Sequence, residues 1–139
     1  MNRSRRMAEH ELRKVYAQVP ELDCKGLCQE SCGPILMSDV EELVMIEACG
    51  GQLPVMPTAR SGHLQNACPL LTQDGKCSIY QSRPLICRLW GAVDHPMMRC
   101  PHGCKPRAGL LPDRLSRRLL ARVEEISRRL FSGRNSNGS

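Results

Sequence analysis

Aromatic side chains are scarce in this chain: one Trp, one Phe and two Tyr among 139 residues. Aromatics usually supply much of the buried area of a core, so Leu, Val, Ile and Met must supply it here. Long apolar runs are also missing. None approaches the roughly 18–20 residues that cross a bilayer, which points away from a membrane-spanning protein. The start, MNRSRRMAEHELRKVYAQV, has the positive charge of a signal peptide but no apolar stretch behind it. We therefore expect a cytoplasmic protein with no membrane contact. There is no phosphate-binding glycine loop, dinucleotide fingerprint, nucleophile elbow or His-Glu-x-x-His pair, so no enzymatic activity is assigned. No Cys-x2-Cys pair occurs, although that is the usual knuckle of zinc ribbons and fingers.

Cysteine is abundant by contrast, with nine residues, alongside ten prolines and eleven glycines. A loop-rich chain with a thin core needs a staple, either disulfide or metal. Cytosolic thiols stay reduced, so a dense cysteine set there reads as metal-binding. An odd count also fits poorly with full disulfide pairing. The formal charge is +6 with every cysteine counted as a neutral thiol. Metal ligands are thiolates. Four around a cluster core of charge about +2 lower the net charge by roughly two, and eight around two zinc ions lower it by roughly four. The basic balance is therefore weak evidence for a nucleic-acid partner.

Helical periodicity predicts a helix over 4–19, with Leu12, Val15, Tyr16 and Val19 on one face. Ser38 and Glu41 form a capping box that opens a second helix. Val40, Leu43, Val44 and Glu47 follow at helical spacing, and Gly50-Gly51 stops the run. Residues 51–66 read as a loop. Residues 68–80 read as a short β-hairpin, with Leu70-Leu71 and Ile79-Tyr80 flanking an Asp74-Gly75 turn. Pro84 suits the start of a short helix through Leu89, and 91–112 read as loop. A basic amphipathic helix is expected over 113–131, with Leu115, Leu119, Val123, Ile126 and Leu130 as its apolar stripe. The tail 132–139 is expected to be disordered. The fold class is thus mainly α: a small, irregular, metal-stapled single domain over 1–131.

Three cysteine groups stand out. Cys24, Cys28 and Cys32 are each four residues apart. Cys68, Cys77 and Cys87 lie on the expected hairpin and the short helix after it. Cys100 and Cys104 bracket Pro101-His102-Gly103, a tight-turn sequence. A soft metal takes about four thiolates at once, so cysteines from separate segments would cross-link the fold through one centre. Cys49 stands apart, just before Gly50-Gly51, and reads as core packing.

The run Cys77-Ser-Ile-Tyr-Gln-Ser-Arg-Pro-Leu-Ile-Cys87-Arg88 resembles the signature of the YkgJ-like cysteine-cluster family, described as a zinc- or iron-chelating domain. That family's pattern matches Cys24, Cys28 and Cys32, the acidic Glu41 opening a helix, Cys68, Gly75 through Arg88, then Cys100 and Cys104. The resemblance spans residues 24–104. Family members often close the first cluster with adjacent cysteines, whereas here Gly33 follows Cys32. The cysteine-cluster segment of flagellin lysine N-methylases is also similar, and it implies an iron–sulfur cluster. The resemblance gives eight candidate metal ligands: Cys24, Cys28, Cys32, Cys68, Cys77, Cys87, Cys100 and Cys104. They would hold an iron–sulfur cluster, of [4Fe–4S] type, or zinc ions.

Arg83 and Arg88 flank Pro84 and Cys87. They are read as cofactor-side residues donating hydrogen bonds to cluster sulfurs or to carbonyls, against an ordinary ion pair with a carboxylate. Tyr80 reads as core, and Trp90 as packing against the metal-bearing loops. His102 could add a ligand, but an exposed turn histidine is the simpler reading. The arginines of the last helix raise an alternative: a module that binds nucleic acid or an acidic protein, with the metal purely structural. No aromatics are interleaved there for base stacking. A solvated face, with Glu124 and Glu125 in surface pairs, is the simpler account.

Overall fold

The computed structural model describes residues 3–21, 37–52, 77–100 and 103–137. The first helix, α1, runs Arg3–Tyr16. Its Ala8, Leu12 and Val15 are buried, and Tyr16 and Val19 pack beside them, as the periodicity requires. Ser38 caps α2, Asp39–Ala48. Both halves of the expected capping box are present: the Ser38 hydroxyl accepts from Glu41 N–H, and Glu41 Oε1 accepts from Ser38 N–H. Gly50 and Gly51 follow with φ of 81° and 114°, backbone that glycine adopts without a Cβ clash.

Pro84 precedes α3, Leu85–Leu89. The last helix, α4, runs Asp113–Asn137. It continues through the stretch from Ser132 that was expected to be disordered. Elongating a formed helix is cheap compared with starting one, and no proline interrupts this stretch.

The α4 stripe departs from expectation at two places. Leu115 is exposed, while Ser116 and Ser127 are buried beside Leu119, Val123 and Ile126. Each serine's hydroxyl oxygen takes part in a hydrogen bond. Ser116 Oγ donates to Asp113 O (2.7 Å), and Ser127 Oγ accepts from Val40 N–H (3.2 Å). The second bond ties the α2 N-terminus to α4 and uses a backbone donor that the helix cannot satisfy itself. In α2 the expected face is also rotated: Val40, Glu41 and Met45 are buried and Glu47 is exposed. Glu47 instead pairs with Arg5 of α1 at 3.1 Å.

The core is the seam where α1, α2, α3 and α4 meet, with Leu12, Val40, Leu85, Leu89 and Ile126 at 2% exposure or less. Burying each such side chain contributes about 1.5–3 kcal/mol. The hairpin expected over 68–80 is corrected at its second limb: Ile79 sits in a turn and Tyr80 begins a 3-10 turn, Tyr80–Ser82. Its first limb lies outside the described residues. The regular strand pair that is described is parallel, in the stretch read as loop. Val93–Asp94 (β1) pairs with Leu111–Pro112 (β2), Val93 opposite Leu111. Leu111 N–H donates to Ala92 O at 2.7 Å. Among the described residues no helix is long and apolar enough to cross a membrane.

Candidate metal centre

Four of the eight expected ligands fall in described segments. Cys77 is half-buried and packs, with Cys49, against Met45 and Ile79. Cys87 is half-buried in the middle of α3. Cys100 and Cys104 are buried, at 7% and 6% exposure, on the excursion between β1 and β2. Gly103 N–H donates to Cys100 O at 3.1 Å, and Gly103 has φ of 79°. That closes the tight turn that Pro101 and Gly103 implied. Cys24, Cys28, Cys32 and Cys68 lie outside the described residues, as do His63 and His102. Among the described residues no disulfide joins two cysteines. Among them, too, no three Cys, His, Asp or Glu side chains converge on a point that could hold a metal. The structure therefore places four of the eight candidates, on the α3 segment and on the excursion between β1 and β2. The donor set itself, thiolates on separate segments, has the chemistry a soft metal requires.

One of those segments, α3 with Cys87, is positioned by a single carboxylate. Glu41 is 3% exposed, and it accepts four hydrogen bonds. Oε1 takes Ser38 N–H (3.3 Å) and Ser38 Oγ–H (3.0 Å). Oε2 takes Tyr16 Oη–H (2.6 Å) and Leu85 N–H (2.5 Å). A buried carboxylate is tolerated only when its lone pairs are used in this way. The bond to Leu85 has a local cause. Pro84 occupies the N-cap of α3 and makes no side-chain cap, so an orphan N–H of the first turn needs an outside acceptor. Glu41 supplies it, and so fixes the start of the helix that carries Cys87. Tyr16 joins α1 to the same point. Burial first, then the neighbouring Glu41 charge and its hydrogen bond, push the Tyr16 phenol well above its ordinary range, with Arg88 opposing.

Among the described residues the two arginines make no ion pair. Arg88 lies over the Tyr16 ring, its guanidinium carbon 4.0 Å from the centroid. Its Nε donates to Arg83 O and its Nη2 to Gln81 O, both at 2.8 Å. Burial lowers its pKa. Arg83 sits 3.7 Å above the Tyr80 ring and donates from Nε to Tyr80 O (2.9 Å). Both arginines thus bind carbonyls of the segment between Cys77 and Cys87, and they set how that segment is folded. Tyr80, read from sequence as core, is 49% exposed, because it serves as the platform for Arg83. Arg88→Lys is expected to lower stability by about 1–2 kcal/mol, since an ammonium cannot stack and bridge two carbonyls in one plane. Thermal unfolding of the variant against the parent checks this, and an unchanged midpoint would contradict it.

Trp90, which follows α3, presents an anomaly. Its indole Nε1 is buried and has no hydrogen-bond partner among the described residues. An indole N–H can only donate, and leaving it unpaired costs about 1–3 kcal/mol. His95, by contrast, has a structural role: its Nδ1 accepts from Met97 N–H at 3.1 Å. On α4, Arg122 and Arg129 pair with Glu125, and Arg122 also reaches Glu11 of α1 at 3.6 Å.

Sequence reasoning missed Glu41 as a junction, recognising it only as a capping residue and as the acid that opens the family's helix. It also missed Tyr16 as Glu41's donor and Arg88's platform. The spacing of a capping box gives no hint of partners 25 and 44 residues away.

Comparison with known proteins gives one family. Residues 23–105 match the model of the CxxCxxCC family, whose description is "putative zinc- or iron-chelating domain". No curated protein and no solved structure matches.

Proposed function

The chain belongs to the CxxCxxCC family, and from that premise we propose that it chelates metal through Cys24, Cys28, Cys32, Cys68, Cys77, Cys87, Cys100 and Cys104. The carrying observation is the family match across 23–105, the stretch that holds all eight. A [4Fe–4S] cluster takes about four thiolates, and two zinc sites would take about eight. The missing Cys-x2-Cys knuckle favours the cluster. Arg83 and Arg88 act beside the centre by shaping the Cys77–Cys87 segment. Bound there, the metal would cross-link segments that a thin core holds weakly, and a cluster could also exchange an electron. The chain's own share is to hold the ligand-bearing elements in place through Glu41, Tyr16 and Arg88.

Anaerobic purification followed by visible absorbance and by iron, zinc and sulfide analysis tests this reading. Broad visible absorbance with iron and acid-labile sulfide is expected. A colourless protein carrying zinc alone would replace the cluster with zinc, and a chain that retains neither metal would overturn the proposal.

A further inference from the structure

The buried indole of Trp90 asks for an acceptor that the described residues do not supply. No other buried side-chain nitrogen or oxygen among the described residues lacks a partner. An unmet need of this kind in a native fold requires an explanation, such as a bound group or ion. Trp90 is the C-cap of α3 and follows Cys87 by three positions, about one helical turn. Metal-bound thiolates are strong acceptors, and the groups that donate to them tune metal sites. Thiols, by contrast, accept weakly.

We infer that Trp90 Nε1–H donates to a thiolate sulfur of the loaded metal centre, an acceptor that metal binding creates. This rests on the metal-chelating reading above. The indole is then a positioning group: it steadies one ligand sulfur and draws off part of its negative charge. A buried water is the competing acceptor, and it would not respond to the metal.

The chain holds a single Trp, so its indole gives one resolved proton signal. The full chain is loaded with spin-active cadmium and compared with a sample loaded with spin-silent cadmium. The expected result is that the indole proton couples to the metal through the sulfur in the first sample only. Trp90→Phe, which keeps an aromatic ring but loses the donor, is expected to release cadmium to a competing chelator roughly 10–100-fold faster. An uncoupled indole proton in a cadmium-loaded parent, with release unchanged in Trp90→Phe, would overturn this inference and leave metal chelation standing. A parent that binds neither cadmium nor iron would overturn both. Should the variant fail to fold, the coupling in the parent decides alone.

Discussion

Glu41→Ala is expected to destabilise the protein by about 3–5 kcal/mol, a large part of the roughly 5–15 kcal/mol that holds a domain together. The substitution strands the N–H groups of Ser38 and Leu85, which cannot turn elsewhere, and each buried orphan costs about 1–3 kcal/mol. The Tyr16 and Ser38 hydroxyls lose their acceptor as well, although they can rotate. Glu41→Gln separates the parts of this effect. An amide keeps one oxygen but turns an NH2 towards the other pair of donors. One pair is Ser38 N–H with the Ser38 hydroxyl, and the other is Leu85 N–H with the Tyr16 hydroxyl. In either orientation one hydroxyl can reverse to accept and one backbone N–H is left facing a donor. The expected loss is about 1–3 kcal/mol. Urea unfolding of both variants measures the order. A Glu41→Ala protein within about 1 kcal/mol of the parent would show that the four bonds contribute little net stability.

Cys77→Ser and Cys87→Ser are each expected to strip most of the bound metal and to lower stability with it. Serine nearly matches cysteine in size but is a poor ligand for a soft metal. Binding of a structural metal is itself folding free energy, about 10–16 kcal/mol for zinc in small domains, so losing one ligand weakens both at once. Cys49→Ser is the control. Cys49 packs in the same small cluster as Cys77, against Met45 and Ile79, but it lies outside the family's cysteine pattern. It should keep its metal while losing about 1 kcal/mol or less of packing. Metal analysis and thermal unfolding of the three variants give the comparison. Full metal loading in both Cys77→Ser and Cys87→Ser would remove them from the ligand set.

Local signals in the sequence were reliable where a short stretch decides the outcome. The Ser38–Glu41 box, the Gly50-Gly51 stop and the Pro84 start each depend on neighbours a few positions away. The apolar face of α1 followed from its period. Features set by tertiary contact were not legible. Ser116 and Ser127 enter the α4 seam because a short hydroxyl can bond to the backbone there, Ser116 donating to Asp113 O and Ser127 accepting from Val40 N–H, and an apolar-stripe count passes over them. The β1–β2 pair spans two residues per strand and joins segments separated by three prolines, too short and too distant for alternation to reveal. Ile79-Tyr80 looked like a strand from its residue types, but the carbonyl demands of Arg83 and Arg88 are met by a turn there. For the candidate site, the ligand set came from a motif. The supports around it came from bonds that cross the chain.

The parallel pairing of Val93–Asp94 with Leu111–Pro112 has a bearing on how this protein can vary. It pins both feet of the loop that carries Cys100 and Cys104. The entropy of closing a loop grows only with the logarithm of its length, about 0.6 kcal/mol per doubling. A few residues gained or lost between Arg107 and Leu110, past the buried Pro106, would therefore change stability by a few tenths of a kcal/mol. The helices would stay where they are, and the reach of the two cysteines would be reset. The clasp lets this loop change length without remaking the fold.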